Sequence, residues 1–158
     1  MPHDDLERFP QRKNPRLAHY DYAQQNFYFV TICTANKQCI FGRPSQLSPM
    51  GQTAYTALQE IPQHFPDVVI DKFVVMPNHV HGIIHILKAG TNLSTVIGAY
   101  KAHVTKTIRA FTPGISVWQS SFHDHVIREQ TDYLRIWEYI DTNPAKWEAD
   151  CFYCEIPG

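Results

Sequence analysis

An α+β fold, a four-stranded antiparallel sheet carrying helices, is predicted by three features of this chain. Apolar runs of strand length alternate with stretches of helical periodicity in the order strand, helix, strand, strand, helix, strand, helix. Two of the strand-like runs are separated only by Pro77-Asn78, the spacing of a tight hairpin. The 158 residues, 44% hydrophobic and 18% charged, suit one globular domain large enough to bury a core.

The elements follow in order. FYFVTICT, residues 27–34, is β-branched and aromatic throughout and reads as a buried first strand. The turn-rich stretch 42–51 leads into a helix over 52–63, where Ala54, Ala57, Leu58 and Ile61 recur at helical spacing. Residues 68–87 form the hairpin. A second helix over 94–110 carries Val96, Ile97, Tyr100, Val104 and Ile108 on one stripe, with Ser94 as its expected N-cap. Thr112-Pro113-Gly114 ends it, and SFHDHVIRE supplies the last strand. A helix over 131–142, with Thr131 as its expected N-cap, closes the set. Without that last helix, the order is the ferredoxin-like (RRM-like) split arrangement, with both helices on one face of the sheet. Three segments result: a basic N-terminal arm at 1–26, a single domain at 27–150 and a short tail at 151–158.

Charge and cysteine content narrow the function classes. Fourteen Lys and Arg against fifteen Asp and Glu give a formal charge of −1, which excludes a histone-like binder that works by bulk charge. The charge is unevenly placed. Arg8, Arg12, Lys13 and Arg16 stand in the arm with no acid between them, and residues 88–123 contain Lys88, Lys101, Lys106 and Arg109 but no acid. Eight of the fifteen acids follow position 123, so the last helix and the tail are expected to face away from a polyanion except at particular side chains. No run reaches the roughly 18–20 apolar residues of a membrane span, and the start lacks the apolar stretch of a signal peptide, so a cytoplasmic protein is expected. Cys33, Cys39, Cys151 and Cys154 are not read as a disulfide scaffold, because a chain of this size needs none.

Chemistry concentrates at two places. In MPNHVHGIIHI, His79 and His81 flank Val80 in a strand, so both imidazoles project from one face of the sheet and could chelate one ion. Packing or hydrogen bonding on the sheet face is the alternative. His85 shares that face but lies too far along an extended strand to join them, and is read as structural. In DYLRIWEYIDTNPAKW, Tyr139 and Asn143 share a helical face if the helix reaches that far. Pro144 biases Asn143 away from helical geometry, so the same residues also read as an amphipathic core helix with its stop. Trp118, Phe122 and Trp137 are read as core rather than as stacking platforms.

MPNHVHGIIHI followed by VWQSSFHDHVIRE and EYIDTNPAKW resembles the HUH-type tyrosine transposases, specifically the REP-associated tyrosine transposases and their insertion-sequence relatives. The similarity extends through RLAHYDYAQQNFYFVTICTANKQCIFG and GAYKAHVTKTIR, covering roughly residues 12–148. The resemblance implies a metal-dependent endonuclease and strand transferase on single-stranded or hairpin DNA. Tyr139 is then the nucleophile, giving a 5′-phosphotyrosine, and His79, His81 and Asn143 hold a divalent metal, Mg²⁺ or Mn²⁺. Tyr133 is the competing nucleophile, but it lies on a different helical face. Arg12, Lys13, Arg16, Lys101, Lys106 and Arg109 are the expected DNA-binding cations, with His103 on the same helix, and the protein is expected to be a monomer or homodimer. Two other readings stay open. One is a non-catalytic single-stranded nucleic-acid-binding module on the same fold. The other is a metallohydrolase that adds Asp124 or His125 to the histidine pair; Asp71 has no assigned place in any of them.

Overall fold

The computed structural model describes residues 26–149. Arg12, Lys13 and Arg16 of the expected arm, and Cys151 and Cys154 of the tail, lie outside them. The sheet comprises β1 (Asn26–Cys33), β4 (Val68–Met76), β5 (His79–Ile86) and β6 (His123–Ile127), in the spatial order β4-β5-β1-β6 with every pair antiparallel. With helices α1 (Pro49–His64) and α2 (Leu93–Phe111) as crossovers, this is the expected ferredoxin-like α+β arrangement. The turn-rich stretch after β1 also holds a small hairpin, β2 (Gly42–Arg43) with β3 (Gln46–Leu47), which periodicity over two residues could not reveal. Among the described residues no helix is long and apolar enough to cross a membrane.

The sheet is covered on both faces. Val30, Ile32, Val80, Ile84 and Ile86 pack with Ala54, Leu58 and Ile61 of α1 and Val96, Ile97, Val104 and Ile108 of α2. The Tyr100 hydroxyl donates to the Ala54 carbonyl oxygen at 2.9 Å and ties these two helices together. Helix α3 (Gln130–Thr142) lies on the opposite face, where Tyr133, Leu134, Ile136 and Ile140 pack on Phe27, Phe29, Ile83 and Ile127. Each such buried aliphatic contributes roughly 1.5–3 kcal/mol. The surface ion pair from Lys72 to Asp141, at 2.8 Å, is worth about 1 kcal/mol at most. The apolar stripe therefore holds α3 in place.

Helix starts differ from expectation in their details. Asn92, not Ser94, caps α2, its side chain accepting from Ser94 N and Thr95 N. An amide oxygen one residue outside the first turn reaches both amides, so Ser94 falls inside the helix. The residue before α3 is Glu129, with no side-chain capping bond, and Thr131 lies within the helix. Cys33 is buried in β1 and not cross-linked, whereas Cys39 in the following loop is disulfide-bonded, contrary to the expectation for that residue. Size removes the need for a disulfide without forbidding one.

Strand β4 contains a bulge that sets how α3 docks. Ile70 pairs with Ile84 and Lys72 with Ile83, leaving Asp71 as the extra residue. An extra residue turns two successive side chains the same way. Asp71 accepts a short hydrogen bond from the Tyr133 hydroxyl, and Lys72 meets Asp141 and lies 4.1 Å over the Trp137 ring. All three partners belong to α3.

Candidate active site

His79 and His81 fall on the α3 side of β5 because side chains alternate along a strand, and Val80 goes to the apolar face beneath α1 and α2. Their ring centroids are 4.5 Å apart and both residues are buried. His85 is on the same side at the far end, stacked on Phe27 with centroids 3.8 Å apart, which is the structural place expected of it.

The orientation of the His79 ring is set by Asn78. Asn78 Nδ2 donates to the Lys37 carbonyl oxygen at 3.2 Å, which fixes the amide so that Oδ1 faces His79 Nδ1 at 2.8 Å. An amide oxygen only accepts, so Nδ1 carries a proton, and in the neutral ring the lone pair is left on Nε2. His81 Nδ1 meets the Thr31 hydroxyl at 2.9 Å. Burial, reinforced by neighbouring His79, holds the His81 pKa well below its ordinary value, favouring the neutral imidazole a metal needs. Ligating histidines are commonly oriented in this way by a partner on the other ring nitrogen. Asn78 and Thr31 escaped the sequence reading, although Asn78 directly precedes His79 and Thr31 pairs with His81 across the sheet.

Helix α3 brings Tyr139 over the pair. Its ring lies 5.4 Å from that of His81 and 6.2 Å from that of Phe29, edge-on to both. Trp147, in the 3₁₀ turn Pro144–Ala149 that follows, lies 6.2 Å from His79. Asn143 is midway along the chain between these two aromatics. It is 3% exposed, and its Oδ1 makes no hydrogen bond among the described residues. Leaving such an oxygen buried and unsatisfied costs about 1–3 kcal/mol, which a bound cation would offset. The expected departure from helical geometry before Pro144 does not occur. Asn143 caps α3 with φ −57° and ψ −44°, because the chain continues directly into the 3₁₀ turn, where Lys146 N bonds Asn143 O at 3.0 Å.

Two neutral imidazoles and one amide oxygen are donors suited to a divalent ion that keeps open positions. Among the described residues no group of three His, Cys, Asp or Glu side chains could hold a metal. The Asp124 and His125 alternatives therefore fail as third donors. Asp124 pairs with Val30 and points to the apolar face, and His125 Nε2 is held by Asp132 at 2.7 Å. Tyr133 is 1% exposed and bonded to Asp71, so it serves the core rather than the open site.

The expected cations of α2 converge elsewhere. Lys101, Lys106 and Arg109 line an open cleft of about 770 Å³ with Trp118 and Gln119. Lys101 Nζ donates to Gln119 O at 2.7 Å and Arg109 Nε to Ile115 O at 3.0 Å, so two of the three also clamp the segment after α2. Partial burial lowers the Lys101 pKa. His103 departs from this group and faces a different depression with Glu60 and Thr107. Trp118 packs on the core and donates to Lys101 O at 3.2 Å.

No family model matches the chain. It is 37% identical, over 91% of its length and 94% of the relative's, to an uncharacterized protein of Haemophilus influenzae. A second Haemophilus influenzae protein, assigned to the REP-associated tyrosine transposases, is 23% identical over 80% of this chain and 74% of the relative. Among solved structures, a REP-associated tyrosine transposase bound to a REP hairpin superimposes with a TM-score of 0.59 at 22% identity, covering 77% of this chain and 67% of the other. A protein of Deinococcus radiodurans R1 assigned as a transposase gives 0.56 at 17% identity, covering 83% and 96%. At these identities the structural likenesses show a shared fold.

Proposed function

The chain belongs to one family with the Haemophilus influenzae protein it matches at 37% identity and is related to the REP-associated tyrosine transposases, and we propose that it nicks and rejoins single-stranded or hairpin DNA through Tyr139. The homology supports a transposase role. The observation that carries the finer reading is the Tyr139 ring, 5.4 Å from His81 in the same chain, with the unsatisfied oxygen of Asn143 one helical turn further on.

In this reading His79 Nε2, His81 Nε2 and Asn143 Oδ1 hold Mg²⁺ or Mn²⁺. When bound, the ion supplies charge neutralisation and orientation for a scissile phosphate. Asn78 and Thr31 hold the two imidazoles in register, and Phe29 and His81 fix the Tyr139 ring edge-on, so the nucleophile is positioned before substrate arrives. The Tyr139 oxygen attacks phosphorus and gives up its proton. The bond from phosphorus to the 3′-oxygen breaks, and that oxygen leaves as a hydroxyl after taking up a proton. A 5′-phosphotyrosine remains, and a second 3′-hydroxyl reverses the step on another strand with no external energy source. Lys101, Lys106 and Arg109 neutralise DNA phosphates along the cleft, and the arm cations Arg12, Lys13 and Arg16 add to this.

Incubating the protein with hairpin oligonucleotides and Mn²⁺ or Mg²⁺ is expected to give a covalent adduct that survives denaturation. Tyr139→Phe should remove it, a loss of about a thousandfold or more, while folding is unchanged because only a hydroxyl is deleted. Tyr133→Phe should still form it. Absence of an adduct across a varied hairpin library, with binding indifferent to chelator, would overturn the proposal in favour of a binding module.

A further inference from the structure

Helix α3 roofs the candidate site, while the strand β6 beside it carries exposed side chains at His123, Asp124 and His125. Across the sheet, His81 of β5 pairs with Thr31 of β1, and Thr31 pairs with His123 of β6. Directly paired residues share a face, so His123 projects on the same side as His79 and His81, in the row of His81 and one row from His79. Two strand spacings place the β6 backbone about 10 Å from β5. One row further from the site, His125 is bound to Asp132 at the start of α3, so the roof begins there. On the β4 side the end of α3 is fastened by Lys72 to Asp141 and Trp137. His123 itself is exposed, and among the described residues β6 is the edge strand of the sheet.

The approach to His123 also leads toward the basic cleft. Gln119 N donates to Cys33 O at 3.0 Å and Ala35 N to Val117 O at 2.9 Å, so the segment before β6 continues the sheet edge beside the residue that pairs with His79. Its other side lines the cleft with Lys101, Lys106 and Arg109. Ser120 and Ser121, both exposed, follow this segment in the chain toward His123.

We propose that the DNA strand enters the site over the β6 edge and that His123 is a substrate-contact residue, its ring N–H donating to a non-bridging oxygen of a phosphate flanking the scissile one. This rests on the reading of the site as a DNA-nicking centre. His123 belongs to no candidate ligand set and is exposed, so its substitution should leave the thermal unfolding curve unchanged.

The test measures single-turnover adduct formation on a hairpin oligonucleotide carrying one neutral methylphosphonate at each position in turn. In the wild type, one flanking position should slow the reaction about tenfold, the scale of a single hydrogen bond to a charged oxygen. His123→Ala should be slowed about tenfold on unmodified DNA and show no further loss at that same position, while other positions keep their full effect. His123→Asn, which retains a donor, should recover part of the rate. An unchanged rate in His123→Ala, or losses that multiply at every position, overturns the role of His123 and leaves the nicking reading intact. Failure of the wild type to form any adduct overturns both.

Discussion

The two faces of the sheet are built to different ends. Beneath α1 and α2 the strands present Val30, Ile32, Val80, Ile84 and Ile86, and the cluster is aliphatic or aromatic throughout. Beneath α3 the same strands present Thr31, His79, His81 and His85, and the helix answers with Tyr133, Tyr139 and Asn143. Alternation in β1 and β5 thus divides one sheet between a face that stabilises and a face whose polar groups are individually positioned. The apolar face can be built by hydrophobic burial alone. On the other, polar side chains are oriented one by one, His79 by Asn78, His81 by Thr31 and Tyr133 by the bulge residue Asp71.

The sharpest way to break this contrast is to damage the apolar face. Leu58→Ala should cost about 2–5 kcal/mol in denaturant unfolding, with metal affinity unchanged in the protein that remains folded. Loss of affinity with little loss of stability would mean that the faces are not separable. The converse change is Asn78→Ala, which frees the His79 ring to turn. It should weaken Mn²⁺ binding, read by titration calorimetry, about ten- to a hundredfold, and cost about 1–3 kcal/mol in stability because the buried His79 Nδ1 and Lys37 carbonyl lose their partner.

A smaller effect tests whether the α3 face also has purely structural members. Tyr133→Phe leaves the Asp71 carboxylate without its hydroxyl partner and should cost about 1–3 kcal/mol in stability, with the rate of adduct formation kept within a factor of two or so. The smallest belongs to the surface fastening. Lys72→Ala removes an exposed ion pair and a contact over Trp137, and thermal unfolding should register less than about 1 kcal/mol. A larger loss there would show that the ion pair, rather than the stripe of Leu134, Ile136 and Ile140, sets the position of α3.

Much of the fold is legible in the residues themselves. The strand FYFVTICT, the hairpin around Pro77-Asn78 and the stripes of α1 and α2 follow from side-chain periodicity, which is a local property. The pairing of His79 with His81 on one face is equally local. The caps were less legible, because Asn92 and Ser94 are both competent acceptors and only the path of the chain entering α2 selects Asn92.

By itself the sequence determined the type and order of the elements and the side to which each strand residue points, since helix and strand geometry act over a few residues. Only the tertiary structure decided that α3 crosses the sheet on the side opposite α1 and α2, bringing Tyr139 to His81, burying Tyr133 on Asp71 and leaving His123 exposed on β6. Those placements depend on a one-residue bulge in β4 and on the register of strands far apart in the chain. Their energies are contact energies between distant segments, and such contacts leave no periodic trace in the sequence.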